Sequence, residues 1–434
     1  MRLVLALLVL PLSMLSQVLT PFGNNIHTAL VYDAAVYSNQ LYFGKSGGHI
    51  NNLSLGGVAV YDGTSITTLP GAGTAVAFEV YNNELYMAGA HPSGQRVLKW
   101  DGSTLTPLGL TNTVNTLYDI IAFNGAVYAS GQFEVGGIYF ALAKFDGNSW
   151  FYLATLSDSN EYGGPLHVAN NLLYLGGSFT SINGNPCNGI AAYNGSAWNT
   201  LAGGPNNGTL TIVDGLFTSS QGLVVVGRAL IPTYVFVSKW TGSTWINQNF
   251  TEFSNSNRLS AFHANGLNFI AAEYRQPTNP QDSLDAGQLF LYTPSGLITL
   301  TDSLFKDKEF IPMTQRLVEG IVKFNNQWIV YGLFKKEGRN GPTFRGIAVI
   351  NGILGAEKIS APPQFKITPN PTTDYLTING PLPESTFRIV DICGRDVMDG
   401  RLQQKLDVHL LPSGVYLLLV SDEAGTYPHK FIKQ

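Results

Sequence analysis

Cysteine is almost missing from this chain: 434 residues hold two, Cys187 and Cys393. They fall in segments of different character, so no disulfide framework holds the fold. Neither has a CxxC partner, which excludes a zinc site built on thiolates. Charge is scarce too. Lys, Arg, Asp and Glu make up 12% of the chain, about half the share of an ordinary globular protein. The net charge of −4 offers no basic footprint for nucleic acid or an anionic membrane. Seven histidines show no HExxH or His-x-His spacing, so a metal centre has little support. Beyond the N-terminal run, no segment is long and apolar enough to be a transmembrane helix.

What is abundant points to strands and turns. There are 47 Gly, 20 Tyr and 24 Phe, and 44% of residues are apolar, enough for a large core of short strands joined by tight turns. The start, MRLVLALLVLPLSMLSQ, carries Arg2 and then an apolar run from Leu3 to Leu15 followed by small residues. This reads as a secretory signal peptide over residues 1–16, cleaved near Ser16 or Gln17. No Cys follows the run, so a lipid anchor is not expected.

Most of the chain repeats one unit, best seen in Asn170–Leu201. Its first landmark is a strand ending in Gly or Ala, at Gly44, Gly89, Gly131, Gly177, Gly227, Ala272 and Gly332. Asn stands shortly before it in most copies, at Asn39, Asn82, Asn124, Asn170, Asn265 and Asn325. Asn suits a hairpin turn because it tolerates left-handed φ. The second landmark is an aromatic-ended strand and a turn glycine, at Gly63, Gly102, Gly147, Gly195 and Gly242, weakening to Gly296 and Gly352. Successive turn glycines lie 39, 45, 48, 47, 54 and 56 residues apart. Each copy holds four short strands, and runs such as IIAF and IAAY are apolar on both faces. That period predicts sheets packed between sheets: an all-β fold, a seven-bladed β-propeller over residues 26–358. Six or eight blades, or a solenoid, are the alternatives. The layout resembles kelch-type propellers through Tyr174-Leu175-Gly176-Gly177 and Tyr193-Asn194 with Trp198, a full pattern that only the fourth copy carries. The resemblance implies architecture and ligand binding rather than a reaction.

After Glu357 the character changes. Residues 359–364, with Pro362-Pro363, read as a linker. Residues 365–434 alternate in YLTI, FRIV and VYLLLV, which predicts a small Ig-like β-sandwich. This segment resembles the C-terminal sorting domain of the type IX (Por) secretion system. The matching residues are Pro369-Asn370-Pro371, Asp374 with Leu376 and Ile378, Asp391 with Gly394 and Val397, Leu410-Leu411, Ser413-Gly414-Val415-Tyr416-Leu417, and the ending Lys430-Phe431-Ile432-Lys433. Cys393 before Gly394 and the extra Gln434 depart from the pattern. The resemblance implies a route: export to the periplasm, transfer across the outer membrane by the type IX machinery, and release or attachment at the surface of a Gram-negative cell. The sorting signal it implies is Pro369, Asn370, Pro371, Asp391, Gly394, Gly414, Tyr416, Lys430 and Lys433.

No residue set is assigned to catalysis, a cofactor or a metal. His167 and His263 sit in apolar strands and read as packed or edge residues, while His49 and His91 lie in Gly- and Pro-containing loops and read as solvated. DGNSW and NGSAW lack the spacing of a sialidase hairpin, and Arg96, Arg228, Arg258, Arg275, Arg316, Arg339 and Arg345 fall at no repeated position. Cys187 lacks the context of a copper-radical centre. Asp158, Glu161, Asp282 and Asp285 are loop carboxylates, and Asp158 to Glu161 is a weak candidate for calcium. Trp150, Trp198 and Trp245, with Trp100 and Trp240, recur at repeat positions and read as packing. The polar segments Arg275–Gly287 and Thr301–Arg316 break the period, as binding loops or as tolerated insertions. The expected function is a secreted or surface-displayed propeller that binds a glycan or protein ligand. The alternative is a carbohydrate-active enzyme with its site on one propeller face, and a mainly structural surface protein is a third reading. Carboxylates clustered with Arg in the central funnel would point to the enzyme; apolar and amide side chains would point to binding.

Overall fold

The structure, a computed structural model, describes residues 19–22, 30–45, 49–50, 53–54, 57–92, 94–110, 114–205, 210–230, 232–275, 285–293, 296–301, 304–306, 316–336, 344–350, 366–379, 386–391, 396–422 and 425–434. The expected signal peptide, the linker and Gly394 lie outside these residues. The chain forms two compact units, residues 1–351 and 352–434.

In the first unit, seven four-stranded antiparallel groups, called sheets one to seven, are traced among the described residues; a pairing of Ser178 with Ile212 joins four to five, and Leu304–Lys306 joins six to seven. Sheet one is Val31–Tyr37, Gln40–Lys45, Val58–Tyr61 and Ile66–Thr68, and sheet two is Thr74–Tyr81, Glu84–Ala90, Val97–Trp100 and Leu105–Pro107. Sheet three is Val114–Phe123, Ala126–Val135, Ile138–Phe145 and Trp150–Thr155, and sheet four is Tyr162–Ala169, Leu172–Ser178, Ile190–Tyr193 and Trp198–Asn199. Sheet five is Thr211–Ser219, Gly222–Leu230, Thr233–Trp240 and Trp245–Gln248. Sheet six is Ser256–Ala264, Leu267–Arg275, Asp285–Thr293 and Gly296–Thr299. Sheet seven has Val318–Phe324, Gln327–Lys336 and Phe344–Ile350. Its fourth strand comes from the other end of the unit: Leu19–Pro21 pairs with Ile350, Val349 and Ala348. Leu19–Pro21, ahead of the expected start at residue 26, therefore forms part of the repeat region. The first strand of each sheet lies against that of the next, and sheet seven meets sheet one. The unit is a β-propeller.

The two landmarks have physical causes. The hairpin turns between first and second strands place Asn39, Asn82, Asn124, Asn170, Asn265 and Asn325 at φ of 57, 50, 46, 51, 48 and 47°, the left-handed region that Asn tolerates. The turn glycines Gly63, Gly102, Gly147, Gly195 and Gly242 lie at φ of 99 to 103°. Asp62, Asp101, Asp146 and Asn194 accept the two backbone N–H groups that close those turns, at 2.7–2.9 Å. The strand-ending glycines answer a bulge. Every first strand loses register with its partner, between Val31 and Asp33, Ala75 and Ala77, Leu117 and Asp119, Gly163 and Leu166, Val213 and Gly215, Ser256 and Arg258, and Val318 and Gly320; the third sheet's also slips between Val114 and Thr116. A Cβ at Gly89, Gly131, Gly177, Gly227 or Gly332 would run into the carbonyl oxygen of Thr74, Thr116, Tyr162, Ile212 or Leu317, just ahead of the bulge. Only glycine leaves room for that approach.

The core lies between sheets rather than within one. Leu85 and Met87 of sheet two pack with Tyr42 and Val58 of sheet one; Val127 and Ala129 of sheet three pack with Tyr86 and Ala88 of sheet two. The repeat tryptophans pack as expected. Trp150 and Trp245 donate their indole N–H groups at 2.7 Å to the carbonyls of Leu108 and Leu201, at the rim of the preceding sheet. Trp198 lies 4.8 Å from Tyr193, ring to ring.

The second unit holds a sheet of Lys366–Thr368, Tyr375–Asn379 and Lys405–Asp407, and another of Asp396–Arg401, Thr386–Asp391, Gly414–Asp422 and Gly425–Lys433. Leu376, Ile378 and Leu406 of the first share one core with Phe387, Ile389, Leu418, Val420 and Phe431 of the second.

Candidate functional site

The seven first strands surround a channel of about 1060 Å³. The bulges decide what lines it. The residue left out of register turns toward the axis in every sheet: Tyr32, Val76, Tyr118, Gly164 with Pro165, Asp214, Asn257 and Glu319 all contribute to the wall. Each bulge lies near the start of its strand. That end carries the connections from second to third strand and from one sheet to the next, where the longer segments run. The opposite end carries the short Asn and Gly turns.

At the long-loop mouth, three arginines from three sheets converge on Asp214. Arg228 reaches it with Nε at 2.9 Å, Arg258 with Nη2 at 3.4 Å and Arg316 with Nη2 at 3.9 Å. Asp214 is only 4% exposed at its side chain. Burial works against the Arg258 charge, but Asp214, Glu273 and Glu319 together hold its pKa above the ordinary value. Glu273 accepts the Leu317 N–H at 2.5 Å, and Glu319 accepts the Arg316 N–H at 3.0 Å. Burial pushes Glu319 upward. Beside this cluster Tyr118 and Tyr162 stack with ring centroids 4.8 Å apart, and Tyr118 is 41% exposed. Burial raises both phenols, Tyr162 to about 12.

Deeper in the channel three carboxylates staple neighbouring sheets. Asp33 accepts the Phe78 N–H at 2.7 Å, Glu79 the Ala122 N–H at 2.9 Å, and Asp119 the Leu166 N–H at 2.8 Å. The Tyr331 hydroxyl donates to Asp33 at 2.8 Å and ties sheet seven to sheet one. Burial pushes the three acids up to about 6, 7 and 7. At the short-turn end His167 and His263 lie 6.1 Å apart, ring to ring. His167 meets the Thr218 hydroxyl at 2.8 Å, and burial together with His263 pulls its pKa down to about 4.

Several readings of the sequence are corrected or refined here. Arg228, Arg258 and Arg316 hold no common repeat position, yet they meet, because sheets five to seven aim different strands at one point. His91 is buried rather than solvated, with its ring nitrogens against the Ala72 and Met87 carbonyls. Glu161, the calcium candidate, is buried with one oxygen accepting from Thr180 and the other from Ser157. Cys187 is a free, buried thiol pushed up to about 12 by burial. Much of Arg275–Gly287 and Thr301–Arg316, Asp282 included, lies outside the described residues. Asp33, Glu79, Asp119 and Asp214 belong to no motif that marks them in the sequence.

In the second unit the sorting residues gather on the last strand. The Asn370 side chain accepts the Ile432 N–H at 3.0 Å. The Thr372 N–H meets the Ile432 carbonyl at 2.9 Å, and Gln434 returns its N–H to Thr372 at 2.8 Å. Gly414 pairs with Lys433 and Tyr416 with Phe431 across the edge hairpin. The Tyr416 ring stacks 5.5 Å from Phe431, and its hydroxyl donates to the Pro412 carbonyl at 2.9 Å. Asp391 pairs with Tyr416 in the neighbouring ladder. Residues 366–434 match the family described as the secretion system C-terminal sorting domain. The C-terminal unit is a type IX sorting domain. The protein is therefore cargo of the type IX machinery, released from a Gram-negative cell or attached to its outer surface.

No curated protein matches the chain. Among solved structures, it is similar to the extracellular domain assigned to a one component system of B. thetaiotaomicron. The identity is 12% and the TM-score 0.47, over 96% of this chain and 52% of that one. The chain thus spans about half the length of that relative. It is also similar to the β-propeller domain of Cps50 from Myceliophteria thermophila, at 12% identity and a TM-score of 0.41, over 71% of this chain and 96% of that one.

Proposed function

We propose that the sorting domain delivers a seven-bladed, kelch-like propeller that binds a glycan in its axial channel, at the long-loop mouth. In this reading a signal peptide over residues 1–16 takes the chain to the periplasm. The folded C-terminal unit, Ig-like in its two sheets, then presents Pro369, Asn370, Pro371, Asp391, Gly394, Gly414, Tyr416, Lys430 and Lys433 to the machinery. The observation that carries the binding proposal is the mouth itself, where an exposed Tyr118 stacked on a half-buried Tyr162 stands beside three guanidinium groups. Aromatic faces stack on sugar rings, and fixed donors orient hydroxyl and acidic groups. The channel volume is at the upper end of the range for ligand sites.

Charge clustered in the funnel also supports a second reading, a hydrolase or lyase. Its specific support is the deep trio Asp33, Glu79 and Asp119, three acids pushed toward neutral pH as a general acid requires. Binding is favoured because each of these carboxylates already accepts a backbone N–H from the next sheet. The full chain, mixed with soluble and insoluble polysaccharides, separates the readings when retention and new reducing ends are scored in the same tubes. Retention without release is the expected result. Product release would move the function to the deep acids, and no retention of any polysaccharide would leave a protein ligand or a structural role.

A further inference from the structure

We propose that the mouth recognises the anionic group of an acidic sugar, a carboxylate or sulfate, through Arg316 and Arg228; this rests on the glycan reading above. Three guanidinium groups converge on Asp214, with Glu273 and Glu319 acting on Arg258 and Glu319 on Arg316 as well. Arg228 takes both Asp214 oxygens, with Nε at 2.9 Å and Nη2 at 3.5 Å, and Arg258 adds Nη2 at 3.4 Å. Arg316 stops at 3.9 Å from Asp214, beyond hydrogen-bond distance, although its side chain is only 20% exposed. Among the described residues, its guanidinium donates no hydrogen bond. A partly exposed guanidinium that is not hydrogen-bonded to its neighbouring carboxylate keeps its fork available, and a planar or tetrahedral oxyanion presents the geometry that fork accepts.

The surrounding groups fix where that anion sits. Glu273 and Glu319 each turn an oxygen to a backbone N–H at the start of sheet seven. An acidic sugar in this arrangement places its charged group at the arginines, with its ring against the partly exposed Tyr118.

The test compares matched polymers on the full chain: polygalacturonate against its methyl ester, and dextran sulfate against dextran. The expected result is about tenfold or more tighter binding of at least one acidic member than of its neutral partner, weakening with salt and lost in Arg316→Gln. Circular dichroism and thermal unfolding check that the variant is folded. If it is not, Arg228→Lys, which keeps charge but removes the fork, serves in its place and lowers the preference. Preference for polygalacturonate identifies a carboxylate, and preference for dextran sulfate identifies a sulfate. Equal binding of charged and neutral partners overturns the proposal and leaves the glycan reading standing. An acidic preference undiminished in the folded variants also overturns it, because the anion would then sit elsewhere. Failure of all polymers, including those of the wider panel, defeats the glycan reading itself.

Discussion

Gly89 and Gly147 are both landmarks of the repeat, and they are glycine for different reasons. Gly147 lies at φ 103° with nothing within 4 Å of the place a methyl would take, so Gly147→Ala meets only the left-handed backbone penalty of about 1–2 kcal/mol. At Gly89 a methyl collides with the Thr74 carbonyl that the bulge pushes forward, so the ladder itself must shift. Gly89→Ala is expected to destabilise by about 3 kcal/mol or more, in the range kept for core disruption. Urea unfolding of the two variants checks the order, and equal midpoints would remove the bulge as the cause. The deep acids make a second prediction at this scale. Asp33, Glu79 and Asp119 have folded pKa values of about 6, 7 and 7 against ordinary values of 3.8, 4.5 and 3.8. The folded state therefore binds more protons than the unfolded chain between about pH 4 and 7, and the stability they contribute at low pH is lost as pH rises through that window. His167, lowered to about 4 from 6.5, acts in the opposite direction below pH 6.5. Asp119→Asn keeps an oxygen for the Leu166 N–H and removes one titration. Its unfolding midpoint should vary less between pH 5 and pH 8 than that of the parent chain; identical slopes would show that Asp119 titrates normally.

The element that joins the ring's ends is three residues long. Leu19–Pro21 completes sheet seven, and Phe22, 1% exposed, sets its ring 4.8 Å from Tyr61 of sheet one. That segment therefore straps both sides of the closure. Phe22→Ala should cost about 3–5 kcal/mol, as for other buried aromatic truncations, and broaden thermal unfolding by loosening sheets one and seven together. A change below about 1 kcal/mol would mean that Tyr61 and Phe324 close the gap without it. The strap was not legible in the sequence, because Leu-Thr-Pro shows no period and its partner lies more than 300 residues away. The hairpins were legible, because Asn at left-handed φ is a local requirement that leaves a local mark. The arginine cluster lies between these cases. Arg228 stands on a second strand, Arg258 on a first strand and Arg316 ahead of one, so no alignment of copies brings them together. A signal for the wall was nevertheless present. Six positions ahead of Asn82, Asn124 and Asn325 stand Val76, Tyr118 and Glu319, each the bulged residue of its sheet.

For the whole molecule, the sorting domain falls in a compact unit of its own, separate from the propeller. The sorting motifs are far apart in sequence, but the Asn370 side chain and the Thr372 backbone both bond to the ending at Ile432 and Gln434, so a truncation at either end dismantles the same structure. Deleting residues 365–434 should leave the propeller folded and hold it in the periplasm, while the full chain reaches the medium or the cell surface. Protease sensitivity of the retained protein, compared with that of the full chain, tests folding. Immunoblots of periplasm, outer membrane and medium test location. Asn370→Ala refines the experiment, because it removes one acceptor for the Ile432 N–H and leaves the sorting core of Leu376, Ile389 and Leu418 in place. Its export should fall between those of the deletion and the full chain. Normal export of the deletion would show that the propeller carries its own address. Normal export of Asn370→Ala alone would place recognition on the edge hairpin, where Tyr416 and Lys433 stand, and away from the Pro-Asn-Pro turn.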